Sequence, residues 1–289
     1  MVLNYLLVTA GAGLFSIGFL CNKRFEQRAG SGFVPAMIFT MVSCLTIGIS
    51  VLICTGFRIA FSWFSMFFAG LSALLNIAYI YCSVKSFTTA NMSVYSVFAM
   101  LGGMLLPFFA GMLFFSEPVT WQKGACCILI LVALFLSMKT GEKRGKGALL
   151  YYMAVFVLNG LNGVFSTIHQ TNPDRISTES YLMLSSFIAA GLCLMILVIK
   201  ERENTFAVFG KMDKRMIGAM IGYGLTNGTG NLLVLFALIG LPASVQYPMI
   251  TGGVMVFSTG IALLMREHVC RREFVCVLLA FAGLIFAAI

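Results

Sequence analysis

Amide and hydroxyl side chains recur at helical spacing inside segments that are otherwise apolar. In the sixth such segment, Asn159, Asn162, Ser166 and His169 follow one another at steps of three, four and three residues. Residues three or four positions apart share one face of an α-helix, so these side chains form a single stripe. Such groups can hydrogen-bond a polar solute, or they can hold one helix to another. Similar stripes are Ser72, Asn76, Tyr79 and Ser83 in the third segment and Tyr223, Asn227 and Asn231 in the eighth.

The position of these groups along their segments bears on the choice between the two interpretations. Counted from the segment ends, Asn159, Asn162 and Asn227 fall near the middle. For one asparagine alone, a bond between helices is the simpler explanation. The set contributed by both halves of the chain favours a cavity that binds a small polar solute. The predicted solute-binding residues are Asn76, Tyr79, Tyr95, Asn159, Asn162, Ser166, Tyr223, Asn227, Asn231, Gln246 and Tyr247.

Two titratable residues are candidates for proton coupling. Imidazole titrates near neutral pH, and His169 lies where the sixth segment gives way to "QTNPDR" (170–175). Glu179 begins the seventh segment. Both positions also suit an ordinary residue at the edge of a loop, so both interpretations stay open.

No aspartate or glutamate lies deep within an apolar segment. A buried carboxylate is the usual counter-charge for a cation, so we expect neither a metal ion nor a strongly cationic solute. No cofactor is predicted. No buried lysine or arginine stands out as the partner of a dianion. A neutral or zwitterionic metabolite, such as an amino acid, therefore fits best.

Apolar segments long enough to cross a bilayer make up most of the chain. Of 289 residues, 60% are hydrophobic and only 10% are charged, with a mean hydropathy of +0.98. Soluble domains carry about 25% charged residues, so the prediction is an all-α integral membrane protein. We interpret the first segment as a retained helix rather than a signal peptide. The ten predicted transmembrane segments are 2–21, 33–54, 61–82, 90–115, 124–138, 148–168, 181–199, 216–238, 243–265 and 274–289.

Basic residues are concentrated in alternate connections. Most of the 19 lysines and arginines follow the first, third, fifth, seventh and ninth segments. Such a bias marks the cytoplasmic side, which predicts a plasma or inner membrane protein with both termini non-cytoplasmic. The net charge of +9 requires no nucleic-acid partner, because anionic lipid head groups on the cytoplasmic leaflet account for it.

The two halves of the chain share motifs at an offset of 150 residues. The stretch "AMLGGMLLPFFAGMLFFSEPV" (99–119) aligns with "MITGGVMVFSTGIALLMREHV" (249–269), matching Glu117 with Glu267 at predicted water interfaces. Because each half has five helices, an odd number, the second copy must be inverted. Inverted repeats surround a site near the middle of the membrane and expose it alternately to each side. The predicted units are a repeat over 1–141, a basic cytoplasmic linker over 142–147 and an inverted repeat over 148–289.

The turn after the fourth helix carries a resemblance to a known family. Ten helices in two halves, with a glutamate closing the fourth helix in "SEPVTWQKGA" (116–125), resemble the drug/metabolite transporter superfamily, in particular its EamA-like family. The second half keeps the glutamate in "REHVCRREF" (266–274). The resemblance implies a secondary transporter of small organic solutes.

Three functional classes suit this architecture. The leading hypothesis is an ATP-independent transporter of a small organic metabolite, acting as a monomer or homodimer. A flippase for an amphipathic lipid carrier is the alternative. A membrane-embedded transferase needs clustered catalytic groups, and the two histidines, His169 and His268, are predicted on opposite sides of the membrane. The chain is therefore predicted not to be an enzyme.

Overall fold

The computed structural model describes residues 2–30, 32–89, 92–118, 120–137, 148–200, 205, 208–265 and 271–288. Over these residues the chain folds into ten α-helices and contains no β-strand. The all-α class and the ten helices predicted from the sequence are therefore confirmed. The helices are α1 Val2–Ala29, α2 Phe33–Cys54, α3 Trp63–Thr89, α4 Met92–Phe114, α5 Trp121–Ser137, α6 Ala148–Thr171, α7 Thr178–Lys200, α8 Lys214–Ala237, α9 Ala243–Leu264 and α10 Arg271–Ala288.

Among the described residues, seven helices are long and apolar enough to cross a membrane: α1, α2, α3, α4, α6, α7 and α9. An α-helix rises 1.5 Å per residue, so about 20 apolar residues cover a bilayer core. Helices α5 and α10 are apolar over shorter stretches. Helix α8 has 24 residues, but glycines, threonines and asparagines interrupt its apolar sequence.

Helix α1 extends beyond the apolar segment predicted at 2–21. Its last two turns are polar and rich in residues with good helix propensity. The Asn22 side chain donates to Glu26 Oε1 at 3.0 Å, a pair one turn apart that stabilises this part of the helix. Helix α1 ends before Gly30, whose φ of +80° suits glycine and terminates the helical backbone. The polar extension therefore continues the helix past the end of the apolar segment.

Most of the packing joins the first five helices to the last five. Helix α1 packs on α8 and α9, α6 packs on α3 and α4, and α2 packs on α7 and α8. Helix α3 also packs on α7, α4 on α9, and α5 on α10. The largest apolar core lies among α4, α5, α9 and α10 and includes Met104, Ile130 and Ala280, all fully buried.

Helices α4 and α6 approach each other closely enough for their backbones to touch. A Cβ atom on Gly102 would stand 2.0 Å from the carbonyl oxygen of Phe156, and one on Gly160 would stand 2.7 Å from the carbonyl oxygen of Gly102. No side chain fits there, so glycine is required on both helices. Small residues commonly allow such close contacts between membrane helices.

Several predicted features lie outside the described residues. They are the linker over 142–147, the segment 266–270 that holds Glu267 and His268, and the side chain of Tyr95 on α4.

Candidate functional site

Asn159 lies at the contact between α4 and α6. Its side-chain amide donates a hydrogen bond to the carbonyl oxygen of Ala99 at 2.7 Å. The same nitrogen would stand 2.7 Å from a Cβ atom on Gly103, so the amide fills the space that this glycine leaves. In this structure Asn159 therefore holds one helix to another.

Tyr247 makes a comparable contact between α9 and α6. Its hydroxyl donates to the carbonyl oxygen of Gly163 at 2.8 Å, and the Thr167 hydroxyl lies 3.4 Å away. Gln246, its neighbour, is fully buried and donates to the carbonyl oxygen of Val234 at 2.8 Å. The Gln246 Oε1 atom is buried and accepts no hydrogen bond from the part of the chain that the structure describes. Both predicted residues thus lie at contacts between helices.

The Glu117 carboxylate caps the start of α9. It accepts hydrogen bonds from the backbone N–H of Ala243 at 2.7 Å, from that of Ser244 at 2.9 Å and from the Ser244 hydroxyl. The Lys123 ammonium lies 4.0 Å from the same carboxylate. The first N–H groups of a helix have no intrahelical partner and carry partial positive charge, which a carboxylate satisfies. The Glu117 side chain is only 11% exposed, so neighbouring parts of the protein cover most of it.

His169 belongs to a buried cluster that joins α3, α6 and α7. Its Nε2 atom lies 2.9 Å from the Ser65 hydroxyl, and its Nδ1 atom lies 3.3 Å from Gln170 Nε2. The imidazole stacks on the ring of Tyr181, with 3.8 Å between the centroids. His169 is fully buried, so it is not an ordinary residue at the edge of a loop. Glu179 is half-buried in the first turn of α7 and makes no ion pair with any described residue.

The hydrogen bonds of this cluster continue through Gln170 and Tyr181. Gln170 Oε1 accepts from the Thr178 hydroxyl at 3.1 Å and from Arg175 Nη1 at 3.4 Å. The Tyr181 hydroxyl pairs with the Ser72 hydroxyl at 3.2 Å, and the Ser166 side chain lies near it. Sequence reasoning missed Ser65 and Gln170, because a single polar residue near a helix end gives no periodic signal. Ser166, a predicted site residue, therefore lies against this cluster.

Three predicted residues on different helices lack a hydrogen-bond partner among the described residues. Asn76 on α3, Asn162 on α6 and Tyr223 on α8 are half-buried, and their polar side-chain atoms make no hydrogen bond with the described residues. None of these atoms is completely enclosed either. We call these three residues the open polar group. Their side chains can each bond to water or to a solute.

Neighbouring residues connect the open polar group to other parts of α3 and α8. Tyr79 on α3 lies close enough to the Tyr223 hydroxyl to act on it electrostatically. On α8, the Asn231 amide donates to Asn227 Oδ1 at 2.7 Å and to the Asn227 carbonyl oxygen at 2.9 Å. That bond leaves the amide N–H groups of Asn227 without a partner among the described residues. The structure thus places Tyr79 in the vicinity of Tyr223 and pairs Asn227 with Asn231.

Within the described residues, no group of three or more histidine, cysteine, aspartate or glutamate side chains is arranged to hold a metal ion. The side chains of the open polar group, two amides and a phenol, can form hydrogen bonds. Each amide supplies two N–H donors and one acceptor oxygen.

Comparison with known proteins shows a shared fold but does not assign the chain to a family. No family model and no curated protein matches the chain. Among solved structures, 29 chains match. One, described only as the crystal structure of a protein, superimposes with a TM-score of 0.70 over 98% of this chain and 96% of its own length. Because the sequence identity is 14%, this similarity shows a shared fold and nothing about activity.

Proposed function

We propose that this protein is an ATP-independent membrane transporter of a small neutral or zwitterionic metabolite. In this proposal the ten helices all cross the membrane as two inverted five-helix repeats of the EamA-like drug/metabolite transporter kind. The observation that carries the proposal is the open polar group, Asn76, Asn162 and Tyr223.

The pairing of helices between the two halves supports the inverted repeat. If α1 to α5 correspond to α6 to α10, each contact between halves should recur with the two copies exchanged. The α1–α8 contact has the counterpart α6–α3, α1–α9 has α6–α4, and α2–α8 has α7–α3. The contacts α2–α7, α4–α9 and α5–α10 each join a helix to its own counterpart. Two inverted copies related by an axis in the membrane plane would produce this pattern.

The chemistry of the open polar group favours the proposed class of solute. An amide in hydrocarbon without a hydrogen-bond partner costs several kcal/mol, so these side chains need water or a solute beside them. Amides and a phenol offer donors and acceptors but no full charge. A neutral or zwitterionic molecule can bond to these donors and acceptors, whereas a metal ion or a dianion would find no opposite charge among these three side chains.

The buried clusters support closure at one end of the protein. The His169 cluster joins α3, α6 and α7, and Glu117 joins the end of α4 to the start of α9. The basic bias of the alternate connections would place this end on the non-cytoplasmic side. Alternating access would then require these contacts to separate when the site opens to that side.

A thermal-shift screen followed by flux measurement tests the proposal. A solute that binds only the folded protein stabilises it by about 2.7 kcal/mol at 100 times its Kd, which identifies candidates from a set of zwitterionic metabolites. The chosen solute should then cross proteoliposome membranes without ATP, and protein-free liposomes give the background.

Asn162→Leu and Asn76→Leu each should lower this flux about tenfold, the effect of losing about 1.4 kcal/mol of binding. Normal flux in both variants would exclude the open polar group as the binding site. The absence of any flux with every stabilising solute would exclude transport.

A further inference from the structure

A groove opens between the end of α1 and the start of α8. Its volume is about 470 Å³, and one side is open to the surroundings. Three arginines give it a strongly basic lining, and two small residues form part of its floor. The lining residues are Cys21, Arg24, Gln27, Arg28, Arg215, Gly218 and Ala219.

On α1, the groove continues into an apolar surface. Arg28, Arg24, Cys21 and Ile17 are separated by four, three and four residues, so they share one helix face. Both arginines are exposed at one end of this stripe, and Ile17 is 42% exposed at the other. The α1 face therefore passes from basic to apolar within about three turns.

On α8, a matching face runs in the opposite direction. Arg215, Gly218, Gly222 and Leu225 are separated by three, four and three residues, and Leu225 is 47% exposed. A Cβ atom on Gly222 would stand 3.3 Å from Cys21 Sγ, which places the two stripes side by side. The groove is thus basic at one end and flanked by exposed apolar side chains at the other.

The positive charge of the groove exceeds its negative charge. Arg28 pairs with Asp213, with 2.7 Å between Nη1 and Oδ2. Arg24 and Arg215 form no ion pair with any carboxylate of the described chain. An anion entering the groove would therefore find two exposed guanidinium groups that have no counter-ion among the described residues.

We propose that this groove binds the head group of an anionic phospholipid, with its phosphate between Arg24 and Arg215. Guanidinium groups match phosphate oxygens in geometry and charge. Gly218 and Ala219 leave space for the head group, and the acyl chains lie along Ile17 and Leu225. A free phosphate ion would use the basic end alone, so the apolar flanks favour a lipid. The proposal rests on the membrane embedding inferred above but not on transport activity.

Native mass spectrometry of the purified full chain with added lipids tests this site. We expect dioleoyl phosphatidylglycerol to remain bound about tenfold more than dioleoyl phosphatidylcholine. Arg24→Gln and Arg215→Gln each should weaken phosphatidylglycerol binding about fivefold, since a basic residue near a membrane surface contributes about that factor. Arg271→Gln is the matched control, because Arg271 is exposed at the start of α10 outside the groove.

Gly218→Leu tests the same groove without changing its charge. A Cβ atom on Gly218 meets nothing within 4 Å, so leucine enters the groove without a clash and should displace the lipid. Gly191→Leu, at an equally open position on α7, is the control for adding leucine.

Equal binding of the two lipids would overturn the proposal, as would normal phosphatidylglycerol binding by Gly218→Leu and Arg24→Gln. Displacement of the lipid by an equal concentration of glycerol 3-phosphate would show a site for soluble phosphates and would also overturn it. The assay contains no transported solute, so its result is independent of the flux measurements.

Discussion

Asn159 and Asn162 lie three residues apart on α6, but the structure gives them different surroundings. Asn159 lies in the contact between α4 and α6, bonded to the Ala99 carbonyl oxygen and packed against Gly103. Asn162 is half-buried and has no hydrogen-bond partner among the described residues. The Asn159 amide bonds one helix to another. The Asn162 amide is available to water or to a solute.

The same difference separates two larger sets of residues. In the close contacts among α4, α6 and α9, polar groups such as Tyr247 and Glu117 are bonded to neighbouring helices. In the open polar group, side chains of the same chemistry lack such partners. Substitutions in the first set should therefore change stability, and substitutions in the second set should change solute binding. The following substitutions test this distinction.

The largest effect is expected from Gly102→Ala. The added methyl group would stand 2.0 Å from the Phe156 carbonyl oxygen, so α4 and α6 must separate. We expect a loss of about 3 kcal/mol in the free energy of unfolding, measured by denaturation in detergent. Gly191→Ala, where a Cβ atom meets nothing within 4 Å, should instead add up to about 1 kcal/mol through helix propensity. Equal stability of the two variants would contradict the close contact.

Glu117→Ala should have the next largest effect. It removes the acceptor of the Ala243 and Ser244 N–H groups and leaves them buried at the start of α9. The expected cost is about 2 kcal/mol, measured as above. Glu179→Ala is the matched control, because the half-buried Glu179 makes no ion pair with any described residue, and its change should stay within about 0.5 kcal/mol. Similar losses in both would contradict a capping role for Glu117.

Asn159→Leu and Asn162→Leu compare the two sets on one helix. Asn162→Leu should lower solute flux about tenfold and leave the unfolding free energy unchanged, because it removes no hydrogen bond to the described residues. Asn159→Leu should cost about 1 kcal/mol of stability, the usual range for a hydrogen bond between membrane helices. The comparison uses thermal denaturation and proteoliposome flux on the same preparations. A reversed pattern would assign the binding site to the α4–α6 contact.

Tyr223→Phe and Tyr247→Phe repeat the comparison with a smaller chemical change. Tyr223→Phe should lower flux about threefold with unchanged stability, because its hydroxyl has no partner among the described residues. Tyr247→Phe loses the hydrogen bond to Gly163, so its stability should fall by about 1 kcal/mol. If Tyr223→Phe transports the solute at the normal rate, the Tyr223 hydroxyl does not contact the solute.

The smallest effect is expected from His169→Gln on the pH dependence of flux. His169 is fully buried, and both of its ring nitrogens already have hydrogen-bond partners. Glutamine retains an amide that can reach Ser65 but does not titrate, so the pH profile should keep its shape. A flattened profile would instead identify His169 as the proton-coupling residue.

Apolarity and helical periodicity in the sequence differ in how much of this structure they predict. Apolar segments near 20 residues long indicate helices reliably, and all ten appear in the structure. The extension of α1 to Ala29 was missed, because apolarity ends before the helix does. The stripe on α6 was predicted as one face, yet Asn159, Asn162 and Ser166 have three different environments. Helical periodicity gives the direction of a side chain, not what lies beside it.

The all-helical class, the ten helices and the basic bias of alternate connections follow from the amino-acid sequence alone, because hydropathy, helix propensity and charge are properties of short segments. The assembly of the helices is what makes Glu117 cap α9, stacks His169 on Tyr181 and gives Asn159 a hydrogen bond that Asn162 lacks among the described residues. Each of these depends on a neighbour from a distant part of the chain. Hydrogen bonds and close packing act over a few ångströms, so residues far apart in sequence acquire these roles only when the helices assemble.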